Sequence, residues 1–128
     1  MRRFTALATA TGAALAGLLM PAHPAAAATV PTKLTITVKP TGGPLRAATL
    51  TCDPAGGTHR AAAAACTVLT TAGGDPAAIE PADVMCTMEY APVKVKMVGR
   101  YQRKPVRFKR SYSNSCRLGA EGGALFGI

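Results

Sequence analysis

Leu34, Ile36 and Val38 alternate with Thr35 and Thr37, the period-two spacing of a strand with one face in a core and the other in water. Pro40 to Pro44, with Gly42 and Gly43 between them, predicts a turn. Ala47–Cys52 then predicts a second strand that pairs back on the first, and Asp53-Pro54-Ala55-Gly56-Gly57 an irregular loop. The period changes over Ala61–Ala72, where alanine content favours a helix, Thr58 is placed to cap its start, and Gly73-Gly74 ends it. From Asp75 to Pro92 no period holds, and Pro76, Pro81 and Pro92 break the chain; connections this long commonly carry function. Val93, Val95 and Met97 alternate with Lys94 and Lys96, predicting a strand with Gly99 as a bulge site. Gln102–Pro105 predicts a turn, Val106–Tyr112 the partner strand, the region of Cys116 a second short helix, and Ala124–Phe126 a last short strand. The expected fold is α+β, a five-stranded antiparallel sheet with two short helices, because the strand connections are too short for helical crossovers apart from the one helix.

The first 28 residues do not fit that domain. Arg2 and Arg3 form a basic start, the stretch from Phe4 to Met20 is free of charge and rich in Ala and Leu, and Pro21 breaks it before Ala26-Ala27-Ala28. This is the pattern of a secretory signal peptide, so 1–28 is expected to be removed and 29–128 to form a single domain outside the cell. A membrane anchor is the weaker reading, since the run is short and diluted by Thr and Gly. Removal takes two of the 15 basic side chains and none of the 6 acidic ones, leaving a basic chain of 13 against 6.

A domain of that size has a small core and needs reinforcement. Its four cysteines, Cys52, Cys66, Cys86 and Cys116, suit two disulfides in an oxidising compartment, and by spacing alone three pairings are open. No pair has the short Cys-x-x-Cys spacing of a zinc site, so no metal is expected.

Catalysis finds little material here. His59 is the one histidine of the mature chain, in a Gly-Gly-Thr-His-Arg loop where solvation is the ordinary expectation, and the carboxylates are scattered. Gly119-Ala-Glu-Gly-Gly reads as flexible chain, not as a phosphate cradle. The expectation is therefore no enzyme and no cofactor. The strongest compositional feature is basic: from Lys94 to Arg117 nine Lys and Arg occur, with no acid between Tyr90 and Ala120. On paired strands Lys94, Lys96, Arg107 and Lys109 could share one face. A face of that kind either keeps the protein soluble or binds a polyanion or cell-surface polymer. Export and the scarcity of aromatics argue against nucleic acid.

The remaining candidate is Val84-Met85-Cys86-Thr87-Met88-Glu89-Tyr90-Ala91-Pro92, a proline-bounded stretch with a cysteine two residues before a long apolar side chain. This pattern, with Leu50-Thr51-Cys52, Gly57-Thr58-His59, Gly73-Gly74-Asp75 and Ser113-Asn114-x-Cys116, resembles the Streptomyces subtilisin inhibitor family from about Thr49 to Phe126. The resemblance implies a secreted inhibitor of serine proteases, chiefly subtilisin-like, with bridges Cys52–Cys66 and Cys86–Cys116 and a homodimer formed by stacked sheet faces. It implies a reactive bond at Met88–Glu89, with Met85, Cys86 and Thr87 before it and Tyr90 after it in contact with the protease. Asn114 and Ser115, beside the bridge partner, are expected to donate hydrogen bonds to the loop backbone. Two positions depart from the family pattern: Thr87 stands where proline is common, and Glu89 where a small apolar residue is common. The first releases a backbone restriction; the second sets a negative charge on the leaving side of the bond.

Overall fold

The structure, a computed structural model, describes residues 21–24 and 30–128. The expected signal peptide therefore falls almost wholly outside the described residues. Strands β1 (Thr32–Pro40), β2 (Arg46–Cys52), β3 (Gly56–Gly57), β4 (Val93–Tyr101) and β5 (Lys104–Tyr112) form one antiparallel sheet in the order β3-β2-β1-β4-β5. Helix α1 (Ala62–Thr71) follows β3, and α2 (Ser115–Gly122) runs into a 3-10 turn over Gly123–Phe126. The fold is α+β, with five antiparallel strands, two helices and two disulfides.

The alternation of β1 and β4 decides which side of the sheet is buried. Leu34, Ile36, Val38, Val95 and Met97 are buried and point to the helices, while the residues between them point to water. Ala65 and Leu69 of α1 and Leu125 and Phe126 of the last turn close over that side. The Phe126 ring stacks on Phe108 at 5.7 Å and tilts against Tyr112 at 6.3 Å. Fully burying one side chain of this size contributes roughly 1.5–3 kcal/mol, and Cys52–Cys66 ties α1 to β2 with the two Cα atoms 5.8 Å apart.

Several local expectations are corrected. Ala124–Phe126 is a 3-10 turn, and the fifth strand is instead the pair Gly56–Gly57 on the edge of β2. Gly119 to Gly122 is helical, not flexible chain: the burial of Leu118 and Ala120 against the core outweighs the poor helix propensity of glycine. Gly99 makes no bulge, since its pairing with Leu34 and Val106 continues the register unbroken. It has φ +143, and an added Cβ there would lie 2.2 Å from the Lys33 carbonyl oxygen; close approach of two backbones is what requires glycine.

Thr58 does not cap α1. Its hydroxyl accepts from the Thr49 backbone N–H at 2.9 Å, closing the β2–β3 turn, and α1 starts with no side-chain cap. His59 is not solvated but 5% exposed. Its Nδ1 accepts from the Ala61 N–H at 3.1 Å, which leaves the ring proton on Nε2 to donate to the Leu125 carbonyl at 3.1 Å. The histidine is a structural clasp between the start of α1 and the last turn.

Candidate functional site

The chain from Ile79 to Pro92 has neither helix nor strand, yet it is tied down at intervals. Ala82 N–H donates to the Ala120 carbonyl at 2.8 Å, and Ala91 N–H to the Ser113 carbonyl at 2.9 Å. The Pro92 carbonyl accepts from both the backbone N–H and the hydroxyl of Thr41, at 2.9 and 2.8 Å. Cys86 is bonded to Cys116 at the start of α2, with the Cα atoms 5.7 Å apart. Proline punctuation and the absence of a period explain why this stretch joins no sheet. The ties explain why it is nevertheless held.

Asn114 is the centre of the arrangement. It is 5% exposed and is the N-cap of α2, where its side-chain oxygen accepts from the Arg117 N–H at 2.9 Å. Its amide nitrogen donates to the Thr87 carbonyl at 3.1 Å and to the Glu89 carbonyl at 2.8 Å. One buried side chain thus holds the carbonyls on either side of Met88. Among the described residues no hydrogen bond reaches the Met88 carbonyl itself. Met88 is 98% exposed and Tyr90 81%, and Met85 is fully exposed. Beneath the segment lies a hollow of about 450 Å³ lined by Cys86, Thr87, Met88, Ser113, Asn114 and Arg117.

Burying apolar surface is the normal state of a methionine, and a fully exposed one on a pinned backbone is a side chain presented outward. The segment combines a central carbonyl without a partner among the described residues, apolar side chains on display, and anchors on both flanks.

Each residue expected at the site is here. Met85, Cys86, Thr87, Met88, Glu89 and Tyr90 are consecutive on the segment, and Asn114 lies under it. Ser115, expected to donate to the loop, does not do so; the neighbour that does contribute is Ser113, through its carbonyl. The clamps at Thr41–Pro92 and Ala82–Ala120 were not foreseen, because backbone groups carry no sequence signal. Glu121 holds Arg117 at 3.4 Å and Arg110 at 3.6 Å, which fixes the charged side chains of α2 and β5 against each other. Among the described residues no His, Cys, Asp and Glu cluster could hold a metal ion, and no helix is long and apolar enough to cross a membrane.

Comparison with known proteins gives this geometry its context. Residues 24–114 match the family model described as subtilisin inhibitor-like. The chain belongs to the subtilisin inhibitor-like family. A subtilase-type protease inhibitor of Streptomyces coelicolor is 44% identical over 128 residues, covering 93% of this chain and 89% of that protein. The subtilisin inhibitor of Streptomyces albogriseolus is 41% identical over 123 residues, covering 91% and 83%. Among solved structures, Streptomyces caespitosus sermetstatin, crystallised in complex with Bacillus licheniformis subtilisin, superposes with a TM-score of 0.61 at 29% identity. That match covers 77% of this chain and 99% of the other. The subtilisin inhibitor-like family is one of protease inhibitors and not of enzymes.

Proposed function

We propose that this protein is an extracellular inhibitor of subtilisin-like serine proteases, acting as a slowly turned-over substrate with its reactive bond between Met88 and Glu89. The observation that carries the reading is the fully exposed Met88 on a backbone whose flanking carbonyls are both held by the buried Asn114. Residues 1–28 serve as the export signal and are removed, leaving 29–128 as the inhibitor domain.

In this reading the segment adds as a strand in the protease cleft, and Met88 fills the primary pocket. Burial of that side chain contributes roughly 1.5–3 kcal/mol, and its three flexible torsions suit an elongated apolar slot. Met85, Cys86 and Thr87 contact the cleft on one side of the bond, Tyr90 on the other. The unbonded Met88 carbonyl is the group that an oxyanion hole would polarise. Because the Cys86–Cys116 bridge and Asn114 order the segment during folding, little ordering entropy is lost on association. If the bond is cut, the same ties keep the new amine beside the acyl group, so religation competes with hydrolysis. Glu89 sets a negative charge on the leaving side of the bond and selects against proteases with an acidic leaving-side pocket.

Titration of subtilisin with the mature protein tests the reading: inhibition is stoichiometric, whereas inhibition that stays partial at large molar excess refutes it. Met88→Lys weakens subtilisin inhibition and creates trypsin inhibition; if neither changes, Met88 is not the primary specificity residue. The protein also pairs as a homodimer by stacking sheet faces. Stacking sheet faces would set the cations of β4 and β5 against those of a second copy, so association strengthens as salt screens them.

A further inference from the structure

We infer that Glu121 withholds Arg117 from Glu89 and so leaves the carboxylate beside the reactive bond free to pair with a cation of the protease. The preferred target is then a serine protease with a basic leaving-side pocket. This inference rests on the reading of Met88–Glu89 as the reactive bond and names the class of enzyme that bond fits.

Arg117 is the cation placed to neutralise Glu89. Both residues line the hollow beneath the segment, and the Asn114 side chain bonds the backbone of each. Its amide nitrogen donates to the Glu89 carbonyl at 2.8 Å, and its oxygen accepts from the Arg117 N–H at 2.9 Å. The guanidinium nevertheless turns along α2, where its Nη2 lies 3.4 Å from Glu121 Oε1. The second carboxylate oxygen of Glu121 meets Arg110 of β5 at 3.6 Å. These are the ion pairs among the described residues, and Glu89 belongs to neither. Its own stretch of chain supplies no counter-charge: no Lys or Arg occurs between Arg60 and Lys94, while Glu80 and Asp83 stand exposed there.

Helix energetics do not account for the Arg117–Glu121 pair. Arg117 lies in the first turn of α2, where the partial positive charge of the helix end disfavours a cation. Glu121 lies in the last turn, where an anion is disfavoured. The order along the helix is also the weaker one, since an acid that precedes its base at this spacing is the better arrangement. What the pair does accomplish is spatial. The Glu121 side chain is 24% exposed against 54% for Arg117, and Arg110, set against the rings of Phe108 and Tyr112, holds it from the other side. A carboxylate fixed between α2 and β5 is an anchor for a guanidinium that would otherwise reach across the hollow.

In water the Glu89 carboxylate is satisfied by hydration. A protease cleft closing over the bond removes that hydration, and an opposite charge in the pocket replaces it with a charge-assisted hydrogen bond. A like charge there is repelled. Glu89 is therefore the residue that meets the protease, and Glu121 a positioning residue that acts through Arg117.

The test uses mature 29–128 protein and two forms of one subtilisin that differ at a single leaving-side position, lysine in one and glutamate in the other. The readout is the ratio of the two inhibition constants, in which a general loosening of the segment cancels. Wild type inhibits the lysine form at least about tenfold more tightly, and the ratio shrinks as salt rises. Glu89→Gln brings the two constants to within about twofold of each other. Glu121→Gln frees Arg117 to turn to Glu89 and lowers the ratio at least about threefold; adding Arg117→Gln restores it, which a merely structural role of Glu121 does not predict. Equal inhibition of both forms by wild type overturns the inference and leaves the inhibitor reading intact. A ratio that Glu121→Gln leaves unchanged, or a loss that Arg117→Gln does not reverse, overturns it as well. If wild type inhibits neither form, the inhibitor reading itself fails and the inference falls with it.

Discussion

Asn114→Asp separates the two roles of one side chain. In the wild type the side-chain oxygen caps α2 through Arg117 N–H, and the amide nitrogen holds the Thr87 and Glu89 carbonyls. Aspartate keeps the cap, and at a helix N-terminus its charge is favoured. It has no hydrogen to give the two carbonyls, and sets an anionic oxygen against them. Each neutral hydrogen bond contributes about 0.5–1.5 kcal/mol net, so the segment loses about 1–3 kcal/mol of ordering while α2 remains capped. A factor of ten corresponds to about 1.4 kcal/mol. The variant should therefore inhibit subtilisin about 5- to 150-fold less tightly and be cleaved correspondingly faster, with global unfolding changed far less. The assay is an inhibition constant measured beside a time course of intact mass under excess protease, with thermal unfolding of the free protein as the control. Inhibition within about twofold of wild type, with equal survival, would refute the view that Asn114 is what keeps the segment in its substrate-like shape.

Other outcomes follow from the same geometry. Replacing Cys86 and Cys116 by alanine opens a link across a sequence separation of 30. The chain-entropy model puts its loss at about 3–4 kcal/mol, seen as a lower denaturation midpoint, and the protein should pass from inhibitor to ordinary substrate in the same mass assay. Burial raises the Tyr112 phenol above its usual 10.0, with Arg110 opposing in part. The native state therefore keeps the proton after the unfolded chain has lost it, and stability falls as pH rises from about 10 toward the native value. Tyr112→Phe should abolish that slope in denaturation measured across alkaline pH. It should cost little at neutral pH, because the buried hydroxyl has no hydrogen-bond partner among the described residues. His59→Ala removes the clasp between Ala61 and Leu125 and leaves a buried carbonyl unpaired, so unfolding free energy should drop by about 1–3 kcal/mol while subtilisin inhibition by the folded protein is retained.

Much of this architecture was written in local pattern. The alternations at Leu34–Val38 and Val93–Met97 and the alanine run before Gly73-Gly74 located both central strands and the main helix, because period two and period 3.6 bury different faces. The proline-bounded stretch around Met88 is legible as a connection outside the sheet, since proline cannot donate to a ladder and is confined to strand ends and edges, as Pro40 and Pro105 are here. Family motifs marked Met88, Glu89 and the paired cysteines by position, something no periodicity could do. The errors share a cause. The immediate neighbours of Thr58, His59, Gly99 and the glycines of α2 suggest one role, yet each is decided by a partner elsewhere in the fold: Thr49, Leu125, Lys33 and the core under Leu118.

The order of residues thus determined where strands, the main helix and the unpaired segment lie, and that the chain is basic, because burial of a periodic face is a local property. Tertiary structure alone decided two things. It brought Asn114 beneath Thr87 and Glu89 across 27 and 25 residues, turning an exposed connection into a held peptide. It also set Lys33, Lys39, Lys94 and Lys96 into register with one another's cations on a single face. Hydrogen-bond geometry and cross-strand register join residues far apart in the chain, and they come into being only when the sheet closes.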